Sequence, residues 1–139
     1  MRYIALLLLV LALAAFGFLH RTQAPHYSLA TIERAETSEA RERGLSGRSD
    51  IPLDYGMLFV FAEKGEYAFW MKDMLVSIDI IWLADDGTII GIEHAVAPET
   101  YPESFHAPEP LRYVLETRAG TAEQKGWKSG TMLSLPLTR

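Results

Sequence analysis

Between Gly56 and Glu116 the chain alternates short apolar runs with turn signals, and this rhythm constrains the fold more than any other feature. "GMLFVF" is apolar on both faces, as in a central strand between two layers. "AEKGE" reads as a turn, and "YAFWMK" and "SIDIIWL" as the next two strands. "ADDGT" sets Asp-Gly between apolar runs, a hairpin signal, and "IIGIEHAV" is the returning strand. "LRYVLE" is one more strand, reached through the proline-rich "APETYPESFHAPEP".

The flanks complete the expected fold. "HYSLATI", residues 26–32, reads as a first strand, and "TMLSLPL" as a last one that Pro136 confines to an edge or an end. In "ETSEARERG", Thr37 or Ser38 is placed to cap a short helix. Glu39 sits in its first turn, the arginines come late and Gly44 closes it, all matching the helix dipole. In "GTAEQKG", Thr121 and Gln124 have capping-box spacing and Gly126 is the stop. The expectation is a mainly β domain, a sandwich or small barrel of about seven strands with two short helices.

Residues 1–24 read differently. Arg2 precedes "YIALLLLVLALAAFGFL", an unbroken apolar run ended by His20 and Arg21. This is the pattern of a signal peptide or an N-terminal membrane anchor. The run is long for a cleaved signal and short for a spanning helix. "TQA" ends at Ala24 as a cleavage tripeptide, but Pro25 follows it. Cleavage and retention both fit, with membrane contact through residues 3–19 if the segment stays. Either way residues 25–139 are expected to be one exported domain, periplasmic or otherwise extracytoplasmic. With no cysteine there is neither a lipoprotein attachment site nor a disulfide framework, so the core must hold the domain.

Taking Arg2 and Arg21 from the 13 basic residues leaves 11 against 18 acidic ones. Nucleic acid and anionic lipid require clustered Lys and Arg, and no basic stripe is present. The histidines are scattered, with no HExxH, and Glu93 and His94 point to opposite faces of one strand, so no metal is expected. "GLSGR" lacks nucleophile-elbow spacing, and no glycine-rich phosphate loop exists, so no cofactor is expected either. The methionines Met57, Met71, Met74 and Met132 lie inside strand patterns as core fillers.

The charges inside apolar segments are the candidate site. Alternation sends Phe69, Met71 and Asp73 to one face and Trp70, Lys72 and Met74 to the other. Asp79 shares its face with Ile81 and Leu83, where a lone carboxylate must be paired or neutralised. Its candidate partners are Lys72, Arg48 and Arg112. One reading is a buried Asp79–Lys72 or Asp79–Arg48 pair that fixes strand register. The other is a polar cleft of Arg48, Lys72, Asp79 and Glu116, with Trp70 as an aromatic platform. Tyr101 lies in the stiff loop 98–110, which is either a solvated crossover or a rim over that cleft. Trp82 reads as core.

The order "ERGLSGR", "GMLFVF", "FWMKDM", "IDIIWLADDG", "YVLETRAG" and "KGWKSG" resembles the DUF192 family, over nearly all of the chain after the leader. The resemblance implies a compact, mainly β domain, and many members are exported. It implies no activity and no catalytic residue. This chain has Ser46 where the family tends to have methionine, Asp73 and Met74 where it has Asn-Thr, and Ser77 where it has proline. The Asp73 change adds a charge beside Lys72.

Three functions follow. The first is a non-catalytic accessory domain of the cell envelope that binds a glycan, a small ligand or a partner protein at a cleft of Arg48, Trp70, Lys72, Asp79, Tyr101, Arg112 and Glu116. The second is a hydrolase with Asp79 and Glu116 as acid and base, which requires both carboxyls in one pocket, about 5–9.5 Å apart. The third is a structural domain whose charges only pair with one another.

Overall fold

The computed structural model describes residues 29–137. Five strands form one open, mixed sheet in the order β1-β2-β7-β4-β5. They are β1 (Thr31–Ala35), β2 (Tyr55–Gly65), β4 (Ile78–Leu83), β5 (Ile89–Val96) and β7 (Leu111–Arg118). Two short strands, β3 (Ala68–Phe69) and β6 (Phe105–His106), pair as a second small sheet. Helix α1 spans Ser38–Arg43 and α2 spans Thr121–Gln124, with a single 3-10 turn at Pro98–Thr100. No closed barrel forms, because β1 and β5 stand at the sheet's edges. The fold is mainly β and sandwich-like, as the sequence indicates.

Both faces of the five-stranded sheet are covered, which is why "GMLFVF" and "SIDIIWL" carry apolar residues on both sides. On one face Met57, Phe59, Ile80, Trp82 and Val114 pack under Leu45, Phe69, Met71 and Met74. On the other, Leu58, Ile81, Leu83, Tyr113 and Leu115 pack under Ala122, Trp127 and Leu133. Each such side chain contributes about 1.5–3 kcal/mol on full burial, so a cysteine-free chain builds its stability from two apolar layers. β7 runs between β2 and β4, so its alternate residues reach the middle of both layers.

Local signals explain most of the boundaries. Thr37 caps α1, its hydroxyl accepting from the Ala40 N–H at 3.1 Å. The Asp-Gly turn closes with Ala84 N–H donating to Thr88 O, while Gly87 takes φ 88°. α2 ends in the two bonds of a Schellman motif, Trp127 N–H to Ala122 O and Gly126 N–H to Glu123 O, with Gly126 left-handed.

Five elements differ from expectation, the first being the turn expected at "AEKGE", where β2 instead runs on to Gly65. β1 starts at Thr31, and residues 26–28 of the expected strand lie outside the described residues, as does the whole leader. The strand expected over 67–72 stops at Phe69, because Met71–Met74 is a turn: Met74 N–H donates to Met71 O, and Asp73 has φ 57°. A positive φ at the third turn residue is the type II pattern, which asparagine and aspartate tolerate best after glycine. The Asn-to-Asp departure from the family pattern therefore preserves a backbone requirement. Residues 131–137 form no strand but lie beside the β4–β5 turn, with a bridge of Met132 to Thr88 and Leu133 N–H donating to Gly87 O. The seventh strand is instead β6, inside the loop read as irregular. That loop carries the chain from β5 to β7 and pairs with β3 on the way.

Candidate binding site

Glu116 faces the layer that holds α1. On β7 it lies between Met57 of β2 and Ile80 of β4, its register partners. Directly opposed residues of antiparallel strands share a face. α1 ends above it at Gly44, where φ is 50°. A Cβ at Gly44 would stand 3.2 Å from Phe59 Cζ and 3.5 Å from Glu116 Oε2. The absence of that one carbon leaves room over the carboxyl.

The room opens into a cavity of about 230 Å³. Leu45, Phe59, Phe61, Phe69 and Met74 supply apolar wall, Glu116 also lines it, and Arg41, Glu42, Arg43 and Trp70 are among the rest. Phe59 and Phe69 meet edge to face with centroids 4.9 Å apart, and Phe69 meets Trp82 the same way at 5.5 Å. These contacts fix the rings before any ligand arrives. Trp70 is 44% exposed and also lines a neighbouring depression with Lys72, Asp73 and Ser46.

Glu116 is 5% exposed, and among the described residues its Oε2 is fully buried with no hydrogen-bond partner. Burial pushes its carboxyl up to about 8, against a smaller downward pull from the Arg48 charge. At neutral pH the group is therefore mostly a protonated acid in an aromatic and aliphatic setting. A buried polar atom without a partner is costly, and the side chain that carries this one lines the cavity.

Asp79 has a different task. Its register partner is Thr117, so it lies on the opposite face of the sheet from Glu116. It is 0% exposed. Oδ1 accepts from the Ala95 N–H at 2.9 Å and the Gly120 N–H at 3.3 Å, and Oδ2 accepts from the Ala122 N–H at 2.9 Å. Ala95 belongs to a β-bulge: Ile78 pairs with Val96 but Ile80 with Glu93, so two residues of β5 face one of β4. Asp79 thus satisfies amides that the bulge and the start of α2 leave unpaired.

The geometry corrects several sequence readings. The Asp79–Glu116 acid and base pair is not formed, because the register separates the two faces. Asp79 pairs with neither Lys72, Arg48 nor Arg112, since backbone amides occupy it. Lys72 is exposed, with no ion pair among the described residues. Arg48 donates to Tyr55 Oη at 2.8 Å and to Glu33 Oε2 at 2.8 Å, and Tyr55 donates to the same Glu33. Hydrogen bonds from Tyr55 and then Arg48 hold the Glu33 carboxyl below its usual range, and burial pushes the Tyr55 phenol up to about 12. Arg112 lies 3.6 Å from Asp85, four residues along β7 from Glu116, or about 13 Å at the usual strand rise. Tyr101 is exposed, and no residue of loop 98–110 lines the cavity. Of the seven expected site residues, Trp70 and Glu116 line it and Lys72 adjoins it.

In the sequence α1 is only a short charged helix, yet it forms one wall. Its closing glycine, followed at once by buried Leu45, is the signal that the chain folds back onto the sheet there. Capping of α2 also differs: Gly120 is its N-cap, Gln124 N–H donates to Gly120 O, and the buried Thr121 hydroxyl has no partner among the described residues, while Asp79 accepts from the Gly120 and Ala122 amides. Among the described residues no three His, Asp or Glu side chains are grouped to hold a metal.

Residues 19–135 match the family DUF192, described as "Uncharacterized ACR". The chain belongs to the DUF192 family. No protein of curated function matches it. Two solved structures share the DUF192 chain's fold. One is a "putative transcription regulator" from Sinorhizobium meliloti 1021, with 36% identity and a TM-score of 0.68, over 71% of this chain and 76% of that one. The other is a protein of unknown function from Novosphingobium aromaticivorans DSM 12444, with 29% identity and a TM-score of 0.68, over 71% and 70%.

Proposed function

We propose that this DUF192 domain is a non-catalytic binding domain that takes a small, largely apolar molecule into the cavity beneath Gly44. The observation that carries the reading is Glu116: its side chain lines a pocket walled by phenylalanines, and its buried Oε2 has no partner among the described residues. Ligand sites are concave and mostly apolar, with a few polar groups that set orientation, and this arrangement fits. The apolar segment at residues 3–19 supports delivery across a membrane, so the ligand would be met in the cell envelope. The role named for the Sinorhizobium protein is not carried over, since this chain is acidic and has no basic stripe.

Protein-observed NMR with a panel of small aromatic probes tests the proposal. The expected result is shift changes clustered on Gly44, Leu45, Phe69 and Trp70, reduced by Gly44→Val. A panel that shifts nothing, or shifts only residues outside this cavity, removes it.

A further inference from the structure

Resting on that reading, we infer that the polar group of the ligand is a protonated amine, with Glu116 as its counter-ion and the phenylalanine rings around its apolar body. The other polar groups of the wall are occupied or face solvent. Tyr67 donates to Glu63 O at 2.8 Å, and Ser46 Oγ donates to Lys72 O at 2.9 Å. Arg41 donates to Val60 O at 2.9 Å and lies 5.1 Å over the Phe61 ring. Glu42 and Arg43 are exposed. The ligand's polar group must therefore answer to Glu116.

Three kinds of group can meet a buried carboxyl. An anion can be held only by the protonated carboxyl and is repelled once the carboxyl ionises. A neutral acceptor would take one uncharged hydrogen bond and gain nothing polar from the walls. An ammonium gains a charge-assisted bond to the carboxylate, the strongest of the three. The proton it displaces is held more tightly than an ordinary carboxyl's, but with the group near 8 about a tenth of it is already ionised at pH 7, so the displacement lowers affinity there only about tenfold.

The charges around Glu116 do not oppose this choice. From α1, Arg41 and Arg43 are offset by Glu42 on the wall and by Glu39 beside it. Arg48, on the chain after α1, is paired with Glu33 of β1 and hydrogen-bonded to Tyr55 of β2. From the segment after β3, Lys72 and Asp73 cancel in the neighbouring depression. The strand neighbours Met57 and Ile80 carry no charge. Binding then balances as follows: Glu116 loses its proton to solvent, and the ammonium nitrogen keeps its own and donates it to the carboxylate.

Calorimetry on the purified full chain, with 2-phenylethylamine and 2-phenylethanol as matched probes at pH 6, 7 and 8, tests the inference. An alkylamine stays protonated throughout this range. The amine is expected to bind about tenfold more tightly at pH 7 than at pH 6, gain less from pH 7 to 8, and release a proton that shows as a buffer-dependent heat. Glu116→Gln is expected to weaken the amine at least tenfold at pH 8 and leave the alcohol within a few-fold, which shows that the variant's cavity is intact. Amine affinity that is flat or falls with pH, or an alcohol that binds as tightly as the amine, overturns the amine inference and leaves the binding-domain reading standing. Absence of binding by either probe overturns the inference as well, and an empty result across the wider NMR panel removes the binding domain with it.

Discussion

Asp79 Oδ2 accepts a hydrogen bond from the backbone N–H of Ala122 at 2.9 Å, across 43 residues of chain. That bond ties strand β4 to the first turn of α2, while Oδ1 of the same side chain holds the bulge of β5 at Ala95 and the Gly120 amide. One side chain thus joins three segments that no local pattern connects.

Removal of this carboxylate is expected to be severe. Asp79→Ala leaves three backbone amides without their acceptor in a buried setting, a loss of about 3–5 kcal/mol. Asp79→Asn keeps one oxygen and is expected to cost less. Urea denaturation of both variants checks the ranking, and a loss below about 1 kcal/mol for the alanine variant contradicts the role.

Glu116 is expected to make stability depend on pH in an unusual direction. Its folded-state value of about 8 lies above the ordinary 4.5. The native protein therefore holds a proton that the unfolded chain has already lost between these values. Stability is full below about pH 4.5 and declines as pH rises toward 8, by about 3 kcal/mol between pH 5 and 8 from this group alone. Glu116→Gln does not titrate, so the difference between the two denaturation curves across this range isolates the effect. Parallel curves would show that the carboxyl is not held protonated.

Gly44 is expected to be sensitive twice over. Its φ of 50° disfavours any L side chain by about 1–2 kcal/mol. Its Cβ would also press on Phe59 and narrow the space above Glu116. Gly44→Ala should therefore lower stability by about that amount and weaken probe binding further than the stability change explains. Binding left intact in a folded Gly44→Ala variant places the ligand elsewhere.

Lys72→Met is expected to change stability by no more than about 0.5 kcal/mol, because Lys72 is exposed and unpaired among the described residues. A buried Asp79–Lys72 pair would have cost about 3–5 kcal/mol. Thermal denaturation separates the two outcomes.

The same opening segment shows what was legible in the sequence. Alternation placed Phe69 and Met71 in the core and Trp70 and Lys72 outward, and burial in the structure follows that division. It failed at Asp73, where a turn replaces the expected strand. The sequence shows Asp79 as a carboxyl in need of partners and offers charged side chains for them, whereas the partners are amides 16, 41 and 43 residues away. Glu116 was singled out, while most of the cavity around it was not, since Phe59, Phe69 and Met74 look like ordinary core residues.

The sequence by itself determined the central strands β2, β4, β5 and β7, the Asp-Gly turn, the capped helix α1 and the two-sided apolar character of β2 and β4. Those follow from local periodicity and turn chemistry, which act over a few residues. Only the tertiary structure decided that Asp79 and Glu116 lie on opposite faces and that α1 closes over one of them. Alternation within a strand defines two faces, but which face of β4 matches which face of β7 is fixed by their pairing register, and a shift of one residue would reverse it.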